Sequence, residues 1–324
     1  MTIKFSNVYL GDAYTFIGKN EHKLTITGDQ SVNDYYMGKK SFEEGEVEYQ
    51  KRSISGLIKK EKDKKIDLLI GADLQNQLLA SNFAARNYNY PFLGIYSACA
   101  SYAEGLIIAS SLIEQKLKNV VVTVSANNLA SEKQFRFPIE YGAIRKNVNT
   151  FTVSASISSL VTSAKTKIKI ESATIGNVVD IGYSDTNNMG AVMATSAHQT
   201  IVKHLKDTKR KPDYYDFVLT GDLGVYGVNI LKELLEKEDN ITLKNVLDAG
   251  TLIFEDSGSS IAGGSGPVCL PLILNNKILK NKAIKKILIV ATGSLHSKVS
   301  SNLGESVPSI SHAVSLEVMK KWYT

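Results

Sequence analysis

Short apolar runs separated by longer stretches of helical periodicity recur along the chain and predict its main elements. Val, Ile and Leu run almost without interruption in several segments, which predicts buried strands at Asp67–Leu74, Pro91–Tyr96, Lys118–Ser125, Asp216–Leu223 and Lys285–Thr292. Helices are predicted between them, at Leu74–Arg86, Ala103–Leu117 and Ala194–Lys206. Buried strands that alternate with helices predict an α/β fold with helices on both faces of the sheet.

The strand-like segments form two similar sets, which indicates an internal duplication. Residues 3–11 resemble residues 168–176, residues 67–74 resemble residues 216–223, and residues 118–125 resemble residues 285–292. Each set also contains a turn of small residues, around Cys99 in the first and at Ala262–Pro267 in the second. We therefore predict two duplicated halves, residues 1–165 and 166–324. No Pro/Ser-rich linker separates them, so we expect one packed unit with a site at their junction.

Composition narrows the class of protein. The 324 residues are 43% hydrophobic and 22% charged, which is typical of a globular protein. Two cysteines, Cys99 and Cys269, do not make a disulfide framework and favour a reducing compartment. The start of the chain lacks a signal-peptide region, and the apolar run Gly105–Ile113 is shorter than the roughly 20 residues of a membrane span. We expect a soluble or at most peripheral protein.

The net charge of +6 favours anionic partners. Lysines alternate with acidic residues at 59–65, as on a solvated helix face, and a second basic patch covers residues 203–211. The second patch has no interleaved aromatic residues and no nucleic-acid-binding motif. Small acids or an anionic membrane surface are therefore better candidates than nucleic acid.

Cys99 lies where the strand ending at Tyr96 is predicted to turn into a helix. Free N–H groups and the positive end of the helix dipole favour a thiolate at such a position, so the pKa of Cys99 is expected to be lowered. The alternative is a buried cysteine that acts as a small hydrophobic residue. The local sequence leaves both readings open.

Other polar residues near the predicted strand ends are candidates for the site. Asp73 either caps the helix that follows it or faces a ligand, whereas Asp222 is predicted to be a turn residue. His204 either faces inward or, as we expect, lies on the surface, and His296 is predicted to lie near the cysteine turn. Arg136 either forms a contact surface or holds a ligand carboxylate. The histidine spacing predicts no metal site, and no dinucleotide fingerprint or P-loop predicts a resident cofactor.

Several short motifs, taken together and in order, resemble the stage V sporulation protein AD family of the thiolase-like fold. They are Gly71–Gln77, Gln134–Gly142, Thr220–Leu223, Ala262–Gly266, Ala291–Gly293 and Glu305–Pro308. The resemblance extends over nearly the whole chain. It implies two βαβ halves packed as one layered α/β/α/β/α unit, and a homodimer.

For function, the resemblance implies binding rather than catalysis. The expected ligand is dipicolinic acid, pyridine-2,6-dicarboxylate, with calcium as its counterion, taken up into developing spores with membrane proteins of the same system. The expected location is the cytoplasmic side of the spore inner membrane or its surface. The matching site residues are Asp73, Cys99 and His204, with Arg136 as the candidate carboxylate clamp. Pro267-Val268-Cys269 after the glycine turn, and His296, depart from the family pattern.

Two alternatives remain. A condensing enzyme or acyltransferase of the same fold would use Cys99 as nucleophile, but a histidine and an asparagine are missing from the positions expected by resemblance, Thr220–Leu223 and the glycine turn. Without them the cysteine lacks its base and oxyanion donors, and His296 is the residue that could replace one of them. The second alternative is an architectural subunit of a membrane-associated complex with an empty pocket.

Overall fold

The computed structural model describes residues 1–135 and 146–319. The strands in these ranges are β1 Thr2–Lys4, β2 Tyr9–Ile17, β3 Gln30–Ser31, β4 Leu68–Ala72, β5 Phe92–Gly94, β6 Asn119–Ala126, β7 Thr150–Thr152, β8 Ala155–Thr162, β9 Ile168–Ile175, β10 Phe217–Thr220, β11 Val246–Asp248, β12 Gly263–Ser265, β13 Lys286–Ser294 and β14 Ser309–Val318. The helices are α1 Phe42–Lys60, α2 Leu79–Ala85, α3 Ser101–Glu114, α4 Asn128–Phe135, α5 Met189–Thr208, α6 Gly224–Asp239, α7 Ala249–Ile253, α8 Cys269–Ile273 and α9 Lys298–Asn302. No helix in the described ranges is both long and apolar enough to cross a bilayer.

The main sheet has a symmetric strand order. Its strands follow one another as β11-β10-β13-β14-β9-β2-β8-β6-β4-β5, with β1 beside β9 and β3 beside β2. One series runs from the edge as β11, β10, β13, β14 and β9, and the other as β5, β4, β6, β8 and β2. In each series the first three strands are parallel, and the fourth and fifth are each antiparallel to the strand before. The two series meet where β9 pairs with β2, also antiparallel. This is the order that a duplicated chain would produce. Strands from both series belong to one sheet, so the division at residue 165 stays a prediction.

An aspartate begins the second strand of each series and makes the same hydrogen bonds in both. The carboxylate of Asp67 accepts from the backbone N–H groups of Lys118 and Asn119, at 2.8 and 3.0 Å. The carboxylate of Asp216 accepts from those of Lys285 and Lys286, at 2.7 and 2.9 Å. Each carboxylate therefore fixes the start of the neighbouring parallel strand.

Successive side chains of a strand face opposite sides of the sheet, so one set packs against inner helices and the other against outer helices. Val120, Val122 and Val124 of β6 pack in the cluster that contains α3 and α8, whereas Val121 packs with α1 and α2. On β13, Ile287 and Ile289 face the same inner cluster, and Leu288 and Val290 face α5 and α6. The two series of strands of this continuous sheet thus enclose the inner helices, with α1 and α2 outside one series and α5 and α6 outside the other, which confirms the predicted fold class.

Three predicted elements differ in detail. The first strand is interrupted at Phe5–Val8, because β1 pairs with β9 while β2 pairs mainly with β8. The helix predicted from Leu74 begins with a 3₁₀ turn at Asn76–Leu78 before α2. The glycine turn of the second half contains the short strand β12, which pairs with β7.

Candidate functional site

Cys99 lies in a tight turn held against the opposite half of the molecule. It belongs to the 3₁₀ turn Ala98–Ala100 that leads directly into α3, as the sequence predicts. Ala98 has a left-handed backbone with φ of 48°, which costs a non-glycine residue about 1 kcal/mol or more. Ser101 stabilises the turn, because its hydroxyl donates to the Ala98 carbonyl at 2.7 Å and accepts from the Ser97 N–H at 2.9 Å.

Gly293 of β13 allows this turn to approach the second half. A Cβ atom at Gly293 would lie 2.3 Å from the Ser97 carbonyl oxygen and 3.1 Å from the Ala100 nitrogen. Any side chain there would displace the backbone of the cysteine turn. The glycine of the Ala291–Gly293 motif therefore has a direct steric role.

A narrow cavity of about 50 Å³ opens beside Cys99 at the junction of the two halves. Its lining residues are Leu74, Tyr96, Ala98, Cys99, Ser131, Glu132, Phe135, Thr152, Thr186, Met189, Ser265, Ser294 and His296. Tyr96, Phe135 and His296 also line a groove of about 630 Å³ that runs over residues 75–78, so the cavity continues into this groove. Glu132 is among the described residues that line the cavity. Neither lysine nor arginine is among those that line the cavity or the groove.

Asp222 lies in the bend between β10 and α6, as predicted, and it also contacts Cys99 from the second half. It is 1% exposed, and its carboxylate accepts from the Gly266 N–H at 2.9 Å and the Thr292 hydroxyl at 3.1 Å. Burial raises the pKa of Asp222 to about 7, against the lowering effect of hydrogen bonds from Cys99, Gly266 and Thr292. The thiol of Cys99 and the buried carboxyl group of Asp222 therefore influence each other's protonation.

Of the two readings left open for Cys99, the structure does not favour the thiolate. Burial, followed by the charge of Asp222 and the hydrogen bond to it, raises the pKa of Cys99 well above its ordinary value. These effects outweigh the N–H of Gly266, which acts in the opposite direction. The site as it stands favours a neutral thiol, the less nucleophilic form.

His296 lies at the mouth of the cavity, which confirms its predicted position near the cysteine turn. Its Nδ1 is 3.0 Å from the Ser294 hydroxyl, and its ring is tilted against Phe135 with the centroids 5.5 Å apart. An imidazole in this position lies on the path of a ligand that enters from the groove.

Asp73 is buried beneath the site and caps a helix, one of its two predicted roles. One carboxylate oxygen accepts from the Gln75 N–H at 2.8 Å, and the other accepts from the N–H and hydroxyl of Ser81 at 2.8 and 2.6 Å. Ser81 is in the first turn of α2. Leu74, the next residue, lines the cavity, whereas Asp73 is absent from its described lining.

His204 is fully buried, so its expected surface position was wrong. Its Nδ1 is 2.7 Å from the Thr174 hydroxyl and its Nε2 is 2.7 Å from the Tyr215 hydroxyl. Burial lowers the pKa of His204 to about 4. Met189, at the start of the same helix, lines the cavity, and a rise of 1.5 Å per residue places His204 roughly 22 Å further along α5.

The structure thus brings Cys99 together with His296, Glu132 and Asp222, and it places Asp73 and His204 outside the lining. Arg136 lies outside the described residues. Within residues 1–135 and 146–319, no group of three or more histidine, cysteine or acidic side chains is arranged to hold a metal ion. One signal could have found Asp222: its alignment with Asp73 in the duplicated motif places both at corresponding strand ends.

The floor of the groove has an unusual backbone. Gln77 and Leu78 are consecutive non-glycine residues with positive φ, 54° and 56°. The side chain of Gln134 holds this loop, because its oxygen accepts from the Asn76 N–H and its amide donates to the Leu74 carbonyl, both at 2.9 Å. Strain of this kind is found at functional sites more often than elsewhere.

Comparison with known proteins agrees with the resemblance found in the sequence. Residues 1–317 match the family model described as Stage V sporulation protein AD. The chain is 33% identical over 318 residues to stage V sporulation protein AD of Bacillus subtilis strain 168, covering 96% of this chain and 94% of that protein.

Solved structures with the same fold include condensing enzymes. The 3-oxoacyl-[acyl-carrier-protein] synthase III of Aquifex aeolicus superposes with a TM-score of 0.57 at 15% identity, over 96% of this chain and 99% of that one. Cerulenin-bound OleA of Xanthomonas campestris superposes with a TM-score of 0.63 at 12% identity, over 97% and 98% of the two chains. At this level of identity the likeness concerns the thiolase-like fold alone.

Proposed function

The chain belongs to the stage V sporulation protein AD family, and from this premise we propose that it binds dipicolinic acid without turning it over, in the cavity beside Cys99. The observation that carries the proposal is the pairing of Cys99 with Asp222. Burial and the neighbouring charge of Asp222 raise the pKa of the Cys99 thiol, which favours its neutral form and suits a binding site better than a nucleophile. The proposed role is ligand binding for uptake into developing spores.

The shape of the site supports a planar ligand that lies partly in the inner cavity and partly in the groove. A water molecule takes about 10–15 Å³ of cavity volume, so the inner cavity of about 50 Å³ has room for a carboxylate group and the adjoining ring edge. The rest of the ring and the second carboxylate would occupy the groove beside Tyr96 and Phe135. The hydroxyls of Thr152 and Ser265, together with His296, are among the described lining groups that would donate to the first carboxylate.

Calcium enters this proposal as part of the ligand. Calcium prefers carboxylate, carbonyl and hydroxyl oxygens, and the cavity offers such atoms on Glu132, Ser131 and Ser294. The carboxylates of the ligand would supply the other oxygens. Asp73, whose oxygens already accept three hydrogen bonds, would contribute indirectly by holding the loop beneath the site.

Calorimetric titration with dipicolinate, with and without calcium, tests the proposal. We expect saturable binding to the wild-type chain and an affinity about tenfold lower in His296→Ala, since a hydrogen bond to a charged group is lost. His198→Ala is the matched control, because His198 bonds to Asp239 on the outer helix layer and should leave the affinity unchanged. Benzene-1,3-dicarboxylate tests the contribution of the ring nitrogen. No binding up to millimolar dipicolinate would overturn the proposal.

Acyl transfer is the second candidate, because Cys99 and His296 line one cavity in a fold shared with condensing enzymes. Incubation with a panel of acyl-coenzyme A thioesters, followed by intact mass measurement, separates the two functions. A covalent adduct that turns over and is lost in Cys99→Ala would establish the enzyme. The binding proposal predicts no turnover.

We also propose a homodimer, formed through the edge of the sheet at β5. This edge strand exposes Leu93, and Phe83 and Tyr96 nearby are also more than two-fifths exposed. Light scattering of the purified chain should give twice the monomer mass. Leu93→Lys should shift the protein toward monomer, and an unchanged monomer mass in the wild type would contradict the proposal.

A further inference from the structure

A second cavity, of about 230 Å³, lies at the opposite end of α5 from the Cys99 site. Thr208, the last residue of α5, lines it, whereas Met189, the first, lines the Cys99 cavity. A helix of this length separates the two places by roughly 29 Å. The lining residues of the second cavity are Lys4, Phe5, Lys169, Glu171, Ser172, Thr208 and Arg210.

A bulge in the sheet shapes this cavity. Ser172 of β9 pairs with Ser315 of β14 while Ile170 pairs with Leu316, so Glu171 is an extra residue in β9. Consecutive strand residues normally face opposite sides of a sheet, but here both Glu171 and Ser172 line the cavity.

The lining has a surplus of positive charge, with Lys4, Lys169 and Arg210 against the single carboxylate of Glu171. That carboxylate is already neutralised, because it lies 2.9 Å from the Lys286 ammonium and 3.3 Å from the Arg210 guanidinium. Lys4 and Lys169 have no ion pair with a carboxylate of the described chain. The negative end of the α5 dipole, equivalent to about half a charge, is too small to offset them.

One buried polar atom in the cavity lacks a partner. The Ser172 hydroxyl belongs to a residue that is 2% exposed, and it makes no hydrogen bond in the structure. Ser172 is directly opposite Lys4 in the pairing of β1 with β9, so the two side chains share one face of the sheet. A buried hydroxyl without a partner, in a cavity that two lysines without ion pairs also line, is an arrangement that an oxyanion would complete.

From these observations we propose that the second cavity binds a phosphate group. Lysine ammonium groups act as point charges that suit a tetrahedral oxyanion. The Arg210 guanidinium is engaged by Tyr215 and Ser315 at 2.7 and 2.8 Å as well as by Glu171, so it is not free to grip a planar carboxylate through two parallel bonds. A phosphate monoester carries close to two negative charges at neutral pH, which matches the two uncommitted lysines.

Calorimetry with inorganic phosphate and with glycerol 3-phosphate tests this site on the full chain. We expect one binding site per chain and an affinity about tenfold lower in Lys169→Gln, since a charged hydrogen-bond donor is lost. Lys167→Gln is the matched control: it removes a lysine two residues away that does not line the cavity. Equal weakening in both variants would show a diffuse charge effect and overturn the site.

Ser172→Ala separates a binding role from a structural one. Removing an unpartnered buried hydroxyl should leave the melting temperature unchanged or higher, yet phosphate affinity should fall several-fold. A lower melting temperature with unchanged phosphate affinity would overturn the proposal.

Vesicle binding distinguishes the two sources of a phosphate group. Flotation with phosphatidic acid in phosphatidylcholine, sensitive to Lys169→Gln but not to Lys167→Gln, would assign the site to a lipid headgroup, whereas a phosphate isotherm without flotation would assign it to a small molecule. If dipicolinate gives the isotherm sensitive to Lys169→Gln and phosphate gives none, the phosphate assignment is wrong. Absence of both phosphate and vesicle binding would also overturn it.

Discussion

Asp73 and Asp222 end corresponding strands of the two halves, but their carboxylates have different partners. Asp73 accepts two hydrogen bonds from Ser81 and one from the Gln75 N–H, all within its own half. Asp222 accepts from Gly266 and Thr292 and contacts Cys99, which belongs to the other half. The first aspartate stabilises a helix and the second defines the chemistry of the site.

A third aspartate, Asp248, explains the difference. In the C-terminal half, Asp248 accepts from the N–H groups of Leu223, Gly224 and Thr251, and so satisfies the backbone at the starts of α6 and α7. Asp222 is therefore free to face Cys99. Asp222 thus has a different role from Asp73, because Asp248 accepts the hydrogen bonds from the helix starts in its half.

The largest expected effect in this comparison is the loss of stability in Asp73→Ala. The substitution leaves the N–H groups of Gln75 and Ser81 buried without an acceptor, so we expect the free energy of unfolding to fall by about 3–5 kcal/mol. Asp222→Ala, which removes the acceptor of one backbone N–H, that of Gly266, rather than of two, should cost less. Urea unfolding of both variants measures this, and a larger loss in Asp222→Ala would reverse the assignment of roles.

The second expected effect concerns Glu46, which lies beside Asp73 in the first half. Burial, then the charge of Asp73, raises the pKa of Glu46 to about 8. An acid whose pKa is higher in the folded state stabilises the fold at low pH, and this contribution is lost as the pH rises from about 4.5 toward 8. Glu46→Gln should therefore gain stability relative to the wild type as the pH rises from 5 to 8, by up to about 3 kcal/mol.

Unfolding free energies measured from pH 5 to pH 8 check this prediction. Glu48→Gln is the matched control on the same helix, because Lys51 and Lys39 keep the pKa of Glu48 low despite the opposing effect of burial. Parallel pH profiles for Glu46→Gln and the wild type would contradict the role of Glu46.

The third prediction concerns the reactivity of Cys99. Removing the charge of Asp222 in Asp222→Asn should lower the pKa of the thiol and accelerate its alkylation by iodoacetamide at pH 8, by about tenfold, because the thiolate is the reactive form. Peptide mass spectrometry measures the rate at Cys99. Glu46→Gln, which changes the carboxyl cluster of the other half, should leave the rate unchanged, and an equal acceleration in that variant would disprove the specific pairing.

Much of this architecture could be predicted from apolar periodicity, because β4, β6, β10 and β13 are nearly continuous runs of aliphatic residues. Helix α1 could not be predicted in the same way. Its buried face combines Val47, Ile54 and Leu57 with the polar residues Glu46, Gln50 and Ser53, so its apolar stripe is interrupted. Buried polar residues of this kind are satisfied by bonds to distant segments, as between Glu46 and Ser125 at 2.8 Å.

The site was less predictable than the fold for a related reason. The position of Cys99 at a helix start follows from local sequence, but its pKa depends on Asp222, which is 123 positions away in the sequence. The apolar neighbours of His204 in the sequence do not show whether its polar ring can be buried. Only the fold reveals that the hydroxyls of Thr174 and Tyr215 are hydrogen-bonded to its two ring nitrogens. Contacts across the two halves thus decide which candidate residues meet.

The smallest expected effect compares the hydroxyl groups that donate to the two aspartates. Ser81→Ala removes a bond of 2.6 Å to Asp73, and Thr292→Val removes one of 3.1 Å to Asp222. We expect Ser81→Ala to cost about 1–2 kcal/mol of unfolding free energy, since the Asp73 carboxylate keeps its backbone donors. Thr292→Val should cost about 1 kcal/mol or less, because Gly266 and Cys99 still donate to Asp222. Urea unfolding of both variants at pH 7 resolves the order, and a larger loss in Thr292→Val would mean that Asp222, like Asp73, is chiefly a structural residue.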